Sequence, residues 1–293
     1  NPYATIEMAL SQVTDVKNTI YIKRGTYNEN DLEIDKDVVI IGEDRDETII
    51  DALNNGRIFI ITDIVNVEIK SLSLTNAKPK YEEDDFERAG KGGAILVEYG
   101  DLILNNTSIS NSKSAAGAVA SIAGAAGSLT VVDSIFENNA IDYDAYDIGY
   151  FDPIGGGAIY SDSELAVKNS IFTENIALAD GDYDYGGAIY TDASSTIEDS
   201  TFENNQAKNG GAIFIDSYST VEINMVNNVF KSNSATLGGA IYSSKSKFTT
   251  ISNNEFDSNI ASSNGGAIYV YGQNALDLID SNLFTNNTAI NGA

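Results

Sequence analysis

A run of alternating acidic residues, DGDYDYG at 180–186, is the stretch whose residue types and spacing could most readily do chemistry. It departs from the EF-hand calcium loop, because its glycine stands in seventh place instead of sixth and Thr191 replaces the closing glutamate. Carboxylates are nevertheless the hard oxygen ligands that Ca2+ prefers. A calcium site is one interpretation, with Asp142 or Asp144 as further ligands, and a solvated acidic loop is the other. The candidate metal ligands are Asp180, Asp182 and Asp184.

Aromatic residues lie among carboxylates in three long segments, at 78–91, 141–155 and 178–185. Aromatic faces stack on the C–H faces of sugars while carboxylates accept hydrogen bonds from sugar hydroxyls, and the same mixture suits a protein partner. The alternative is a set of solvated acidic loops that a sturdy scaffold tolerates. On the first interpretation the ligand-binding residues are Tyr81, Phe86, Asp142, Tyr143, Asp144, Tyr146, Asp147, Tyr150, Phe151, Tyr183 and Tyr185.

The composition excludes several classes of site. The 293 residues include no cysteine, histidine or tryptophan, so Cys/His zinc sites, thiol nucleophiles and serine–histidine triads are ruled out. The 43 acidic and 17 basic residues give a formal charge of −26, which repels nucleic acid and anionic membranes. No apolar run approaches the ~18–20 residues that span a membrane. We therefore expect no nucleic-acid partner and no membrane insertion.

A repeat of two short motifs determines where these segments lie. Successive late glycine pairs at 186, 210, 238 and 265 are 24, 28 and 27 residues apart. The pieces between them are short, β-branched or aromatic, and bounded by Gly, Asn and Ser, which is typical of strands. Such a period predicts a solenoid. GGAI lies at 92–95, 156–159, 186–189, 210–213, 238–241 and 265–268, and Phe-x-x-Asn at 136–139, 172–175, 202–205, 230–233, 256–259 and 284–287.

Strand alternation predicts which side chains of the repeat face the core. The Phe residues should point inward and stack as a column, one ring per coil at ~4.8 Å. The Asn three residues later should sit in a left-handed turn and bond to the next Asn in a ladder, and Gly-Gly should form a corner where coils approach closely. We assign the Ile of GGAI inward, which leaves an exposed aromatic stripe outside; the alternative is a structural stack of these rings. The stripe comprises Tyr160, Tyr190, Phe214, Tyr242 and Tyr269.

The first residues of the chain predict a cap for the solenoid. Four apolar residues fall on one helical face, so we expect a helix over 4–15 that covers the core and strand edges of the first coil. These residues are Ile6, Ala9, Leu10 and Val13.

The whole chain, 1–293, is predicted to form one domain, with irregular first coils at 16–77 and motif-bearing coils at 78–293. At ~25 residues per coil, the ~240 residues outside the cap and the insertions make roughly nine or ten coils. The three long segments occupy the same place in the repeat. They should therefore emerge on one edge of the rod.

The opening coils and the paired motifs resemble known families. TIYIKRGTYNE at 19–29, VVIIGE at 38–43 and TIID at 48–51 resemble the first coils of the right-handed parallel β-helices of pectate lyases and carbohydrate-binding surface proteins. GGAI with Phe-x-x-Asn resembles the passenger repeats of chlamydial polymorphic membrane proteins and adhesin-like surface proteins of methanogenic archaea. The resemblance covers essentially the whole chain. It implies an all-β, single-stranded, right-handed parallel β-helix of pectate-lyase-like type and an extracellular stalk or adhesive role.

On these grounds we expect an extracellular, adhesin-like binding module at a cell surface, whose partner is a glycan or a surface protein of another cell. The chain opens at Asn-Pro and ends at AINGA, which we interpret as a piece of a larger secreted or anchored protein with an uncapped last coil. A passive stalk is one alternative. A polysaccharide lyase or hydrolase is another, because any two loop carboxylates could form a catalytic pair. Arg occurs only at four positions before the regular coils and Lys is sparse beyond residue 100, so we favour a non-enzyme and assign no catalytic residue.

Overall fold

The structure, a computed structural model, describes residues 2–79, 88, 90–142, 154–178, 184–216, 221–244, 247–272 and 279–292. In these residues the chain winds through parallel sheets, and each strand pairs with its counterparts on the coils before and after it. A complete coil passes through the first sheet, the second sheet, a short sheet and the third sheet in that order. The architecture is a parallel β-helix, as the repeat predicts.

In the described part of the chain the first two sheets have ten strands each, which agrees with the nine or ten coils predicted. The first sheet contains Thr19–Ile22, Val38–Gly42, Asn66–Lys70, Gly100–Asn105, Gly127–Val132, Glu164–Lys168, Ser195–Glu198, Glu222–Val226, Lys247–Ser252 and Ile279–Asp280. The second contains Gly25–Tyr27, Thr48–Asp51, Ser73–Thr75, Ser108–Ser110, Ile135–Glu137, Ile171–Thr173, Thr201–Glu203, Val229–Lys231, Glu255–Asp257 and Leu283–Thr285.

The other sheets lie on either side of the glycine corner. The short sheet contains Lys113–Ser114, Ala140–Ile141, Ile176–Ala177, Gln206–Ala207, Ser234–Leu237 and Ile260–Asn264. The third contains Leu32–Ile34, Phe59–Ile61, Ile95–Val97, Val119–Ser121, Ile159–Ser161, Ile189–Thr191, Ile213–Asp216, Ile241–Ser244 and Ile268–Tyr271. A separate pair is formed by Ile154–Gly155 and Asp184–Tyr185, and the helices are Ile6–Leu10 and a 3-10 turn at Gly124–Ala126.

The phenylalanines of the repeat form the predicted column inside the second sheet. Successive rings stack with their centroids 4.8–5.0 Å apart, because the strand register places each Phe opposite the next. The column is continuous as far as Phe284, whose side chain is 48% exposed at the last coil. The fully buried rings are Phe136, Phe172, Phe202, Phe230 and Phe256.

Two ladders of polar side chains flank the phenylalanine column. The Asn that ends each of the first five Phe-x-x-Asn motifs is buried, and Asn205 donates both its backbone N–H and its Nδ2 to Oδ1 of Asn233, each at 3.0 Å. The same Nδ2 donates to the carbonyl of Phe172 on the preceding coil at 2.9 Å. The second ladder lies two residues before each Phe, where the N–H of Ser200 donates to Oδ1 of Asn228 at 3.0 Å. The predicted asparagine ladder is therefore confirmed.

The left-handed turn falls one residue earlier than predicted. Asn204, and not the ladder residue Asn205, has a φ of 58°. Glu174 and Ser232 take the same conformation at this place on neighbouring coils. The prediction that a single Asn forms both the turn and the ladder is thus wrong.

The glycine corner is a close contact between coils, as predicted. Gly210 has a φ of 67°, and a Cβ there would lie 2.2 Å from the carbonyl oxygen of Ile213. A Cβ on Gly211 would lie 2.2 Å from the carbonyl oxygen of Gly239 on the next coil. Neither contact leaves room for a side chain, so the corner requires both glycines.

The N-terminal helix is shorter than predicted. It spans Ile6–Leu10, and the side chain of its N-cap, Thr5, accepts a hydrogen bond from the N–H of Met8. After Leu10 the N–H of Val13 donates to a carbonyl only three residues back, so the chain leaves the helix in a tight turn. The predicted extent of 4–15 is wrong, although the first and last residues of its apolar face, Ile6 and Val13, are buried as expected.

Candidate binding edge

The described ends of the insertions lie side by side at the corner between the short sheet and the third sheet. Lys78, at the start of the first insertion, forms an ion pair with Asp142, at the start of the second, with 2.9 Å between Nζ and Oδ2. Ile154–Gly155, at the end of the second insertion, pairs in parallel with Asp184–Tyr185, at the end of the third. We call this line of insertion ends the insertion edge.

Two of the predicted ligand-binding residues belong to the described part of the chain. Asp142 is ion-paired to Lys78, and the ring of Tyr185 stacks on Phe214 with centroids 4.2 Å apart. Both side chains are thus held by the scaffold. The others lie outside the described residues: Tyr81, Phe86, Tyr143, Asp144, Tyr146, Asp147, Tyr150, Phe151 and Tyr183.

The calcium hypothesis depends mainly on residues that the structure does not describe. Asp184 is 3% exposed, and its backbone carbonyl accepts hydrogen bonds from the N–H groups of Lys208 and Asn209. Asp180 and Asp182 lie outside the described residues. Among the residues that are described, no group of three or more acidic side chains is arranged to hold a metal. Calcium binding at 180–184 stays a prediction.

The aromatic residues that follow the last five GGAI motifs form a row of neighbouring rings, stacked except for a tilted last pair, and most are buried. Tyr160, Tyr190 and Phe214 are 2–6% exposed, and Tyr242 and Tyr269 are half-buried. Their ring centroids lie 4.8–5.5 Å apart from coil to coil. The exposed stripe was therefore the wrong interpretation, and the alternative of a structural stack is confirmed.

The aromatic stack is buried because both faces of the third sheet are covered. Ile213 points inward, as assigned, and is fully buried in the main core. Phe214 points the other way and belongs to a second apolar cluster outside the sheet. Tyr185 packs on that cluster from the third insertion, and the ammonium of Lys91, from the first insertion, lies 5.7 Å from the ring centre of Tyr160. The insertion edge and the aromatic stack are therefore parts of one surface.

Arg57 fixes the end of the first insertion. Its buried guanidinium donates from Nη2 to the carbonyl of Arg88 at 2.7 Å and from Nε to the carbonyl of Lys91 at 3.0 Å. Arg88 in turn pairs with the buried carboxylate of Glu98. Sequence reasoning missed this network, because Arg57 is 31 and 34 residues away from its partners and no local motif marks it.

A row of three carboxylates follows the aromatic stack on successive coils. Asp162, Asp192 and Asp216 each lie two residues beyond a ring of the stack and hence on the same outer face of the third sheet. Burial and the neighbouring carboxylates of Asp162 and Asp216 raise the pKa of Asp192 to about 6. Burial also raises the pKa of Asp162, whose Oδ1 accepts a hydrogen bond from the N–H of Gly124. Sequence reasoning missed this row.

The signal for this carboxylate row was present in the sequence. The triplets YSD at 160–162, YTD at 190–192 and FID at 214–216 follow three copies of GGAI directly. Strand alternation then puts each carboxylate on the face of its aromatic neighbour.

Comparison with protein-family models gives two overlapping matches to the right-handed β-helix region, at residues 38–256 and 154–289. Together the matches span most of the chain. Among curated proteins and among solved structures, no significant match was found. Within the described residues, no helix has the length and apolar character that crossing a membrane requires.

Proposed function

The chain belongs to the right-handed β-helix family, and we propose that it is an adhesin-like binding module of a larger cell-surface protein, which binds a glycan of another cell along the insertion edge. The fold alone suits adhesins, stalks and polysaccharide-active enzymes. The choice among them comes from the residues of the edge and from the charge of the chain.

The observation that carries this proposal is the alignment of the insertions. The Lys78–Asp142 ion pair and the pairing of Ile154–Gly155 with Asp184–Tyr185 hold the ends of the insertions against each other. Insertions gathered on one face of a solenoid are commonly its binding face. The segments between these ends are rich in Asp and Tyr, which suit sugar hydroxyls and sugar rings.

The rigidity of the rod also supports a binding role. Stacked rings and buried amide ladders fix each coil against the next, so a ligand that contacts several coils does not have to order them when it binds. The formal charge of −26 disfavours uronate polymers and leaves neutral glycans as the better partners.

The test replaces residues 143–152 with a Gly/Ser linker of the same length, which retains both Asp142 and Ile154. We expect binding to a printed glycan array and to glycan-bearing cells to fall by about tenfold or more, which is about 1.4 kcal/mol. The melting temperature should stay close to that of the parent protein, because the variant retains every described residue of the ladders and columns.

The matched control replaces 273–278 with a Gly/Ser linker of the same length; along the chain this segment lies between Ile268–Tyr271 of the third sheet and Ile279–Asp280 of the first sheet. It should bind as the parent does. Unchanged glycan binding by the 143–152 variant would contradict the proposal. Cell binding that survives glycosidase treatment of the cells would identify a protein partner instead, and an absence of any binding would favour a passive stalk.

A polysaccharide hydrolase is a second candidate, favoured by the row of carboxylates. Asp192, whose pKa is raised to about 6, stands between two other carboxyl groups on the outer face of the rod. A protonated acid beside a second carboxylate is the arrangement that glycoside hydrolysis uses. Release of reducing ends from neutral and acidic polysaccharides tests this, and Asp192→Asn should lower the rate by about a hundredfold or more. If the parent protein releases none, the hydrolase is excluded.

A further inference from the structure

The outer face of the short sheet carries an open groove of about 440 Å3 beside the third insertion. Gln206 and Ser234, which are register partners on successive coils, form its floor, while the alternate residue Ala207 points into the core. Leu178 and Ile260 bound it toward the preceding and following coils, and their side chains are 40% and 52% exposed. We call this the short-sheet groove. Its volume falls within the ~300–1,000 Å3 that is usual for small-ligand sites.

The polar side chains of the groove have unused hydrogen-bonding capacity. Within the described part of the chain, the side chains of Gln206, Ser234, Thr236 and Ser262 form no hydrogen bond to other protein groups. The ladder residues differ, since Asn205 directs its amide groups to Phe172 and to the next Asn. The groove thus offers one amide and three hydroxyl groups, and each of these can both donate and accept.

The charged residues of the groove do not select a charged ligand. Asp184 and Lys208 both line it, and their formal charges cancel. Each also interacts with other groups of the protein. A uronate or an amine would be desolvated in such a groove without gaining a counter-charge of its own.

We propose that the short-sheet groove binds an uncharged oligosaccharide, laid along the rod axis, through hydrogen bonds from Gln206, Ser234 and Thr236 and apolar contacts with Leu178 and Ile260. Sugar hydroxyls need partners that donate and accept, and sugar C–H groups need apolar neighbours. The groove supplies both on adjoining coils. This inference rests on the proposed glycan-binding function and gives that function a site and a ligand class.

The test uses the whole chain and a printed array that carries neutral gluco-, galacto- and manno-oligosaccharides beside uronic-acid and amino-sugar oligosaccharides. Ser234→Trp places a large ring on the floor of the groove, and Gln206→Ala removes the amide without filling it. Thr196→Trp is the matched control, because Thr196 is equally able to accept an exposed ring but lies on the first sheet of the same coil as Gln206. Urea unfolding checks that all three variants fold.

We expect the parent protein and Thr196→Trp to bind neutral oligosaccharides alone. Ser234→Trp should abolish this binding, and Gln206→Ala should weaken it by about tenfold, as loss of one hydrogen bond to a ligand does. Normal binding by Ser234→Trp overturns the inference, as does binding of charged glycans only.

The inference and the proposed function can fail separately. If replacement of 143–152 abolishes binding while Ser234→Trp does not, the insertion edge is the site and the groove proposal is wrong. If Ser234→Trp abolishes binding and the replacement does not, the groove binds the glycan without the insertion. An array on which the parent binds no glycan overturns the inference, whereas cell binding that depends on 143–152 would still support an adhesive role.

Discussion

The two asparagines that end a motif such as FENN have different roles at the scale of single residues. Asn204 supplies the left-handed backbone, a place that Glu174 and Ser232 also fill, so its side chain can vary. Asn205 is buried, and its amide donates and accepts inside the rod. The ladder could be predicted from the spacing of the repeat. The turn could not be assigned, because two adjacent Asn have the same backbone preference.

Gly210→Ala should strongly destabilise the protein. The substitution costs about 1 kcal/mol for the left-handed backbone and a further ~1–3 kcal/mol for the contact with the Ile213 carbonyl. Gly124→Ala is the matched control, since its φ is 55° but nothing lies within 4 Å of its Cβ position. Urea unfolding should show a loss of only about 1 kcal/mol there. Equal losses of unfolding free energy in the two variants would show that the contact with the Ile213 carbonyl does not contribute to the cost at Gly210.

Ionised Asp192 destabilises the folded state, so Asp192→Asn should stabilise the protein at high pH. Its pKa in the folded protein, about 6, lies above the ordinary 3.8. The free energy of unfolding therefore falls as the pH rises from the ordinary pKa of an aspartate through the pKa of Asp192 in the folded protein. We expect the substitution to raise the melting temperature at about pH 8 and to leave it nearly unchanged at about pH 4, as followed by circular dichroism.

Asp257 provides a control of opposite sign for this pH dependence. Hydrogen bonds from Oγ1 of Thr285 at 2.7 Å and Nδ2 of Asn286 at 2.9 Å lower its pKa. The stabilisation that ionised Asp257 contributes is therefore present above its ordinary pKa. It is lost as the pH falls through the pKa of Asp257 in the folded protein. Asp257→Asn should lower the melting temperature at about pH 8. The interpretation of Asp192 fails if its variant shifts the melting temperature equally at both pH values.

The phenylalanine column is one part of the core, and the stability that each ring contributes should depend on its position in the column. Phe202 has a stacked ring on each side and is fully buried, so Phe202→Ala should cost about 3–5 kcal/mol. Phe284 stacks only on Phe256 in the described coils and is half exposed, so Phe284→Ala should cost about 1 kcal/mol. Denaturant unfolding of the two variants compares them. Similar costs would mean that the rings do not act as a stacked column.

Strand alternation explains both what could and what could not be predicted about the elements. It placed Ile213 and Phe214 on opposite faces of one strand, which is correct. It could not show that both faces are covered, because the cover on the outer face comes from Tyr185 on the preceding coil. The same limit applies to Arg57, whose partners are distant along the chain. The spacing of residues along a strand predicts on which face of the sheet each side chain lies. Whether that face is buried depends on the packing of segments that are distant along the chain.

At the scale of the whole molecule, self-repulsion is the dominant electrostatic effect. The formal charge of −26 is only locally offset, for example by the Lys168–Glu198 and Lys231–Glu203 pairs across coils. Raising ionic strength from ~0.01 to ~0.15 M shortens the screening length from ~30 to ~8 Å. We expect the melting temperature to rise with NaCl over this range. No rise would show that the surface charges are too dispersed to matter.

A comparison of calcium with other salts at matched ionic strength distinguishes a specific calcium site from general screening of the surface charges. If Asp180, Asp182 and Asp184 hold Ca2+, the melting temperature should rise further with CaCl2 than with NaCl or MgCl2, and the rise should saturate. Asp182→Asn should remove the difference. Equal responses to the three salts would contradict the calcium hypothesis without affecting the groove or the insertion edge.

The hydrogen bonds between the strands of the sheets, and those that link successive ladder residues, run from coil to coil, parallel to the long axis of the rod. A pull on the two ends would therefore act on these bonds in series and not in shear. The weakest junction would open first and release the slack of a single turn of chain while the rest stays wound. Under tension along this axis, such a rod would lengthen stepwise and absorb mechanical work.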